Sequence, residues 1–336
     1  MGVKRAYSNV RVVALDNLKR RGSELNLVRL RGAGVEFVHG DVRSMEDLES
    51  LGAVDLILEC SAEPSVLAGY TSAPDYLVNT NLLGAVNCFE LARRHGAATI
   101  FLSTSRVYPA AAINSLAVDE TETRFVLRAE QSLPGVSVRG ISEQFPLDGT
   151  RSLYGATKLC GELLLREYLE MYGLKGIINR CGVITGPWQM GKIDQGVVVL
   201  WVARHMYGKP LKYIGYGGRG KQVRDMLHVD DLLKLVLYQI DHLDSLTGQT
   251  FNVGGGLEVS ASLCELTALC RETTGAEVPI GAETETRPAD IRIYLTDYTR
   301  VTELTGWRPE KNVPAIVQDI AAWIAGHRDA LEAVLA

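Results

Sequence analysis

The chain has 336 residues, 46% hydrophobic and 22% charged, with 40 acids against 35 Lys and Arg for a net charge of −5. That composition excludes a disordered or fibrous chain, and the acidic balance argues against a nucleic-acid partner or a polybasic membrane surface. At ~150 residues per domain, the length allows about two domains.

The opening MGVKRAYSNVRVVALDNL is basic but holds no apolar signal core. A first strand is expected at residues 10–15, with no glycine-rich turn before it. A helix follows near 24–31, then strands at 35–38 and 54–58. A long helix is expected from about 75 to 94, with Leu77, Leu82, Val86, Phe89 and Ala92 on one stripe. After a strand at 99–102, residues 108–151 dissolve into a loop holding Pro109, Pro134 and Pro146. Order returns with a helix at 153–172 and a strand at 176–179, and a later packing helix is expected at 260–271. Short β-branched runs alternating with amphipathic segments predict an α/β fold with a doubly wound parallel sheet. No internal repeat or flexible linker stands out, so the two domains are expected to interleave.

The longest apolar run, residues 197–203, stops at Arg204 and is too short to cross a bilayer. Six cysteines without a C-x-x-C are expected as reduced, mostly buried thiols of a cytoplasmic protein. Cys264 and Cys270 read as helix core, and no metal site is predicted. His205 and His242 read as surface or helix residues. Trp201 and Tyr207 suit either a base pocket or core packing. Gly215, Gly217, Gly218 and Gly220 follow a strand and read as a loop on the substrate side.

Chemistry gathers at strand ends. Asp16 closes the apolar run VVALD and is followed by Asn17. An acid there either receives hydrogen bonds from an adenosine ribose or simply turns the chain. Asp41 and Val42 follow the next strand, so two acids point towards one ligand edge. Tyr154 and Lys158 stand four apart on a helix and share a face. An ammonium beside a phenol favours the phenolate, which can then take a hydroxyl proton while hydride leaves carbon. Ser103-Thr104-Ser105-Arg106-Val107-Tyr108 follows an apolar strand, and a hydroxyl at Thr104 would bond the same sugar oxygen. A strand-end cluster of this kind also caps local backbone. Its order before the long loop and the Tyr/Lys helix favours the chemical reading.

With these residues together, the chain resembles the extended short-chain dehydrogenase/reductases that act on nucleotide-sugars. The resemblance covers nearly the whole sequence. It rests on the Asp16 strand end, Asp41-Val42, Asn81 in NLLGAVN, the S-T-S-x-V-Y strand end, Y-x-x-x-K and the G-P-W-Q of residues 186–189. QVRDMLHVDD at 222–231 and the late G-W-R-P at 306–309 extend it. It implies a Rossmann-like NAD-binding domain mainly over 1–180 and a smaller α/β substrate domain mainly over 181–336, interleaved with the first, with segments near 220–255 returning to it. It implies NAD as cofactor, Thr104, Tyr154 and Lys158 as the catalytic trio, and a nucleotide-sugar as substrate. Asp16, Asn17, Asp41, Val42, Ser61, Ala62, Asn81, Ser103 and Cys181 would line the cofactor with Tyr154 and Lys158. Gln189, Gln195, Gln222, Arg224 and Arg292 would join Thr104 at the substrate, Arg224 on its diphosphate. A homodimer through the 75–94 and 153–172 helices is implied as well.

Within the family, GISEQFPLDGTRSLYGATK, Asp194-Gln195-Gly196 and GKQVRDMLHVDD look most like CDP-paratose (CDP-tyvelose) 2-epimerases. Such enzymes oxidise a sugar hydroxyl at C2, let the ketone present its other face and return the hydride. A 4,6-dehydratase would carry Thr-Asp-Glu where Ser105 and Arg106 follow Thr104, so that chemistry is disfavoured. UDP-sugar 4-epimerases share the trio and are the competing reading. A non-catalytic nucleotide-sugar-binding protein is the alternative from another class.

That family opens with a strand, G-x-x-G-x-x-G, and a helix whose N-terminus holds the pyrophosphate. Residues 1–8 here read as the last turns of that helix, and 10–15 as the second strand. In the order 3-2-1-4-5-6 the first strand lies inside the sheet, so two edges are expected to stand open. Roughly 20–30 further residues upstream, a real truncation, or another segment or chain filling the gap would each account for it. The intact trio favours the first.

Overall fold

The structure, a computed structural model, describes every residue except Thr71, Ile193 and Asp194. The aspartate of the Asp194-Gln195-Gly196 element therefore lies outside the described residues. In chain order come α1 (Gly2–Ala6), β1 (Val13–Asp16), α2 (Asn26–Gly32), β2 (Glu36–His39), α3 (Met45–Glu49), β3 (Leu56–Glu59), α4 (Asp75–Val78), α5 (Gly84–His95) and β4 (Ala98–Thr104). Next are α6 (Ala110–Asn114), β5 (Val118–Glu120), β6 (Phe125–Leu127), β7 (Val136–Ser137), β8 (Gly140–Ile141), α7 (Leu153–Tyr172) and β9 (Gly176–Cys181). Then follow β10 (Val183–Thr185), α8 (Val197–Met206), β11 (Leu211–Ile214), β12 (Val223–His228), α9 (Val229–Asp241), α10 (Leu243–Leu246) and β13 (Thr250–Val253). The chain finishes with β14 (Ser260–Ser262), α11 (Leu263–Thr274), β15 (Ile280–Glu283), β16 (Ile293–Tyr294), α12 (Thr299–Thr305), α13 (Val313–Gly326) and α14 (Arg328–Leu335).

Two compact units result, each built from three chain segments. Unit 1 comprises residues 1–107, 153–180 and 233–251; unit 2 comprises 108–152, 181–232 and 252–336. Within the first 180 residues, the segment 108–152 groups with unit 2. Its hydrogen bonds give the reason: Ile141 N–H donates to Leu295 O at 2.8 Å, and the Tyr108 hydroxyl donates to Asn252 Oδ1 at 2.8 Å. Of the stretch near 220–255, only 233–251 belongs with unit 1.

Unit 1 carries two separate parallel pairings. β1 pairs with β2, whereas β3 and β4 continue into a four-stranded sheet of order β13-β9-β4-β3. Among the described residues no ladder joins β1 to β3, so both strands keep an open edge, as the sequence leads one to expect. What joins them is apolar packing. Leu15 of β1 and Ile57 of β3 lie against one cluster of Leu48, Cys88 and Leu91. On the other strands, Phe101 of β4 and Ile178 of β9 bury against Ala85 and Phe89 of α5 and Leu165 of α7. α7 sits very close to β4: a Cβ on Gly161 would stand 2.8 Å from Phe101 Cζ, so a larger residue there would force the Phe101 ring or the helix to shift.

The helix expected unbroken from 75 to 94 widens into a π segment at Asn79–Leu83, between α4 and α5. Asn81 in that turn is buried and bonds the loop after β3, donating to Glu63 O and accepting from Glu63 N–H. Such bulges often accompany functional positions, because the extra residue re-aims a side chain.

In unit 2, β10, β12 and β14 form a sheet with β16 also on β12, and α8, α11 and α13 pack on one another. The helix expected at 260–271 starts at Leu263, because Ser262 and Glu265 close a reciprocal capping box after β14. His205 takes the helix side of its reading: it is buried on α8 with Nδ1 2.7 Å from Trp201 O. Trp201 is buried as well and donates to Thr267 Oγ1 at 3.0 Å, which resolves its double reading in favour of core.

One buried ion pair ties the sheet of unit 1 to α7. Arg180 at the end of β9 donates from Nε and Nη2 to both oxygens of Glu162, and neither side chain is more than 2% exposed. Removing one partner of such a pair strands a charge. Glu162→Gln is therefore expected to lower unfolding free energy by about 3–5 kcal/mol in urea titrations.

Candidate functional site

The C-terminal ends of β1 and β2 bring the first predicted group together. Asp16 Oδ1 accepts the Leu18 N–H at 2.7 Å, so the aspartate does turn the chain, with Leu18 at φ 52°. Asn17 donates to Asp41 Oδ2 at 2.8 Å, and Arg43 grips the same carboxylate through Nε and Nη2. The Arg43 guanidinium holds the Asp41 carboxyl far below the usual range. Lys19 and Arg43 both lie over the Tyr76 ring. Val42 faces inward and packs with the Leu48–Cys88–Leu91 cluster; a Cβ on Gly84 would meet it at 2.6 Å. Its position is thus that of a wall beneath the polar edge.

The second group lies where β4 meets α7. Thr104 ends β4, is buried, and its Oγ1 accepts the Arg106 N–H at 3.2 Å. β4 and the 3-10 turn after it, Ser105–Val107, pack against α7. There Tyr154 and Lys158 occupy the first two turns on one face. Among the described residues no hydrogen bond engages the Tyr154 hydroxyl. Asn81 donates to Thr157 Oγ1 at 3.3 Å, which fixes the start of α7 to the π turn. Ser103 bonds Glu162 and so belongs to the structural ion pair.

Sequence reasoning missed Glu59. Lys158 Nζ stands 3.2 Å from Glu59 Oε2, with side chains 2% and 1% exposed, and 4.0 Å from the Phe101 ring centroid. Ser61 donates to the other carboxylate oxygen from its backbone N–H, at 2.9 Å, and from its hydroxyl. The available signal was a lone acid inside the apolar run LILEC; an isolated acid in a buried strand demands a cation, and nothing nearby in sequence supplies one.

In unit 2 the expected substrate residues gather in part. Arg224 Nη2 reaches Asp290 Oδ1 at 2.9 Å and Ile291 O at 2.8 Å. Arg292 N–H donates to Asn114 Oδ1, its guanidinium to Asn114 O, and the Tyr216 hydroxyl reaches the same Oδ1 at 3.3 Å. Arg224 is thus held by residues 290–291, whereas Arg292 and Tyr216 meet at Asn114. Asn114, Tyr216 and Asp290 were not foreseen. Gln222 donates to Ile214 O at 2.6 Å, and its Oε1 is buried with no partner among the described residues. Gln189 spends its amide on β10, donating to Ile184 O and meeting Thr185 Oγ1. Trp188 beside it takes φ 71° and packs on Trp323 and His327. Gln195 N–H bonds Lys192 O, and Cys181 is buried at the end of β9. Among the described residues no cluster of His, Cys, Asp and Glu has the makings of a metal site, and no helix is long and apolar enough to cross a membrane.

The strand order, the Asp-ended β1 and the Tyr/Lys pair on α7 define a Rossmann-like dehydrogenase-type fold. Residues 4–254 match the NAD dependent epimerase/dehydratase family, and the chain belongs to it. It is 28% identical to CDP-paratose 2-epimerase of Salmonella typhi over 93% of this chain and 91% of that one. It is also 28% identical to a dTDP-glucose 4,6-dehydratase of Streptomyces griseus, over 95% and 87%. A crystal structure of Thermus thermophilus UDP-glucose 4-epimerase in complex with NAD superposes with TM-score 0.75 at 25% identity, covering 97% of this chain and 94% of that one. The family is one of enzymes, and NAD is its cofactor.

Asp225, beside Arg224 on β12, gives unit 2 a pH signature. Burial pushes its carboxyl up to about 6, against the opposing pull of hydrogen bonds from Thr296 and the Gly256 N–H. A raised value in the folded state means that its stabilisation is full below the ordinary value of 3.8 and is lost as pH rises through about 6. In paired unfolding curves, Asp225→Asn should gain on the wild type by about 3 kcal/mol between pH 3.5 and pH 7, at ~1.4 kcal/mol per unit.

Proposed function

We propose that the chain is an NAD-dependent epimerase of a nucleotide-sugar, of the CDP-sugar 2-epimerase type. The observation that carries the reading is the pairing of Tyr154 and Lys158 on α7 against the β4 end that holds Thr104. Similarity to CDP-paratose 2-epimerase over more than nine-tenths of both chains supports the finer assignment.

The described side chains fit the two ends of the dinucleotide. Asp16, Asn17 and Asp41 offer carboxylates and an amide to an adenosine ribose, with Arg43 and Tyr76 beside them. Tyr154 and Lys158 offer a phenol and an ammonium to the nicotinamide end. NAD, when bound, supplies a hydride acceptor that later returns the hydride. Thr104 would hold the reacting hydroxyl while Tyr154 removes its proton, and Lys158 favours the phenolate form. After the keto sugar has turned its other face, the same phenol gives the proton back. Elimination of water would need a carboxyl next to Thr104, whereas Ser105 and Arg106 stand there. That favours epimerisation over the dehydratase chemistry named for some relatives. Arg224 and Arg292 of unit 2 carry charge suited to a diphosphate.

The purified protein is expected to release NAD on denaturation, seen by absorbance and chromatography of the supernatant. Against CDP-, UDP-, GDP- and dTDP-hexoses, the CDP sugar should give the 2-epimer. A 4-epimer from the UDP sugar would replace this reading with a 4-epimerase, and absence of both NAD and turnover would leave a binding protein. Tyr154→Phe should lower kcat ~100- to 10,000-fold with the fold intact, as for loss of a general base.

A further inference from the structure

We propose that Glu59 is a positioning residue that sets the charge felt by Tyr154, acting through Lys158. The inference rests on Tyr154 being the base. Glu59 ends β3 with its carboxylate almost wholly removed from solvent and both of its oxygens engaged. Ser61 fixes Oε1 through backbone and hydroxyl, and Oε2 meets Lys158 Nζ at 3.2 Å. Phe101 closes the opposite side of the ammonium. The loop carrying Ser61 is itself held, because Asn81 of the π turn clamps both backbone groups of Glu63. The carboxylate is therefore immobile, and Lys158 has one electrostatic partner built into the fold.

A lone ammonium four residues from Tyr154 would draw the phenol strongly towards phenolate. An ammonium neutralised at 3.2 Å presents a dipole instead, whose field falls off faster. Among the described residues no other ion pair engages Lys158. Desolvation first, then the Glu59 charge, push the thiols of Cys60 and Cys88 up, so they stay neutral. Glu162, further along α7, is committed to Arg180, and the Glu63 side chain turns to the Ser65 N–H. Glu59 thus decides how much of the Lys158 charge reaches Tyr154. Removing its charge while keeping its shape raises the net charge beside the phenol by one as long as Lys158 keeps its proton.

The test is the pH profile of kcat/KM, measured on the full chain with NAD and the nucleotide-sugar that the wild type turns over. Glu59→Gln should move the acid limb to lower pH by at least half a unit, with Glu59→Asp keeping the limb at its wild-type position and lowering kcat. Should the Gln variant fail to fold, Glu59→Met serves as the charge-free variant. An unmoved limb in the charge-free variant overturns the proposal, as does a limb that moves equally with Asp, which would mark a purely structural role. Tyr154→Phe run alongside separates the two ideas. If it retains turnover, the base assignment fails; if it is inactive and the charge-free limb is unmoved, only the role of Glu59 fails.

Discussion

An ammonium group cannot be enclosed beneath an aromatic ring and a strand end without a carboxylate to answer it. In this chain the answer to Lys158 is Glu59, and much of unit 1 is arranged to bring the two together. β3 ends where Glu59 reaches inward, α7 lies close enough to β4 that a Cβ on Gly161 would press on Phe101, and the loop at 60–63 is pinned by a side chain from a widened helical turn. Each of these is a local oddity by itself. Seen from the buried pair, they are parts of one arrangement that presents a phenol, an ammonium and a hydroxyl at the same end of the sheet.

The arrangement was legible in the sequence where residues act locally. α7 runs over the predicted 153–172 because its signal is a long 3.6-residue periodicity, and Tyr154 and Lys158 fall on one face by that period alone. The ends of β1 and β4 were legible for a similar reason: an apolar run closing on a polar residue. What escaped were pairings across long separations. Glu59 and Lys158 stand 99 residues apart, and Asn114 and Arg292 are 178 apart, so no window of sequence contains both partners. The π turn was invisible because apolar spacing on either side of it still reads as helix. The 108–152 segment reads as a loop, since its strands are two or three residues long and its partners lie near 252 and 295.

The two units distribute chemistry unequally. Unit 1 holds groups that can change protonation or hold a nucleoside, whereas unit 2 holds guanidinium groups already engaged by Asp290 and Asn114. An arginine bonded in this way is preorganised, so less side-chain entropy is lost when an anion arrives. The same economy explains why Tyr216 is accepted at φ 50°: its hydroxyl and its N–H are both engaged, by Asn114 and Thr286.

The open edges of β1 and β3 bear on motion. Among the described residues hydrogen bonds bind β3 into four strands but β1 to β2 alone, and the apolar layer of Leu15, Val42, Leu48, Ile57 and Leu91 couples the pair to β3. A two-stranded ribbon is marginal by itself. Asp16 and Asp41 ride on that ribbon. A nucleoside held by both carboxylates would stiffen the pair, so occupancy of one end of the site becomes readable in the protection of backbone far from the phenol.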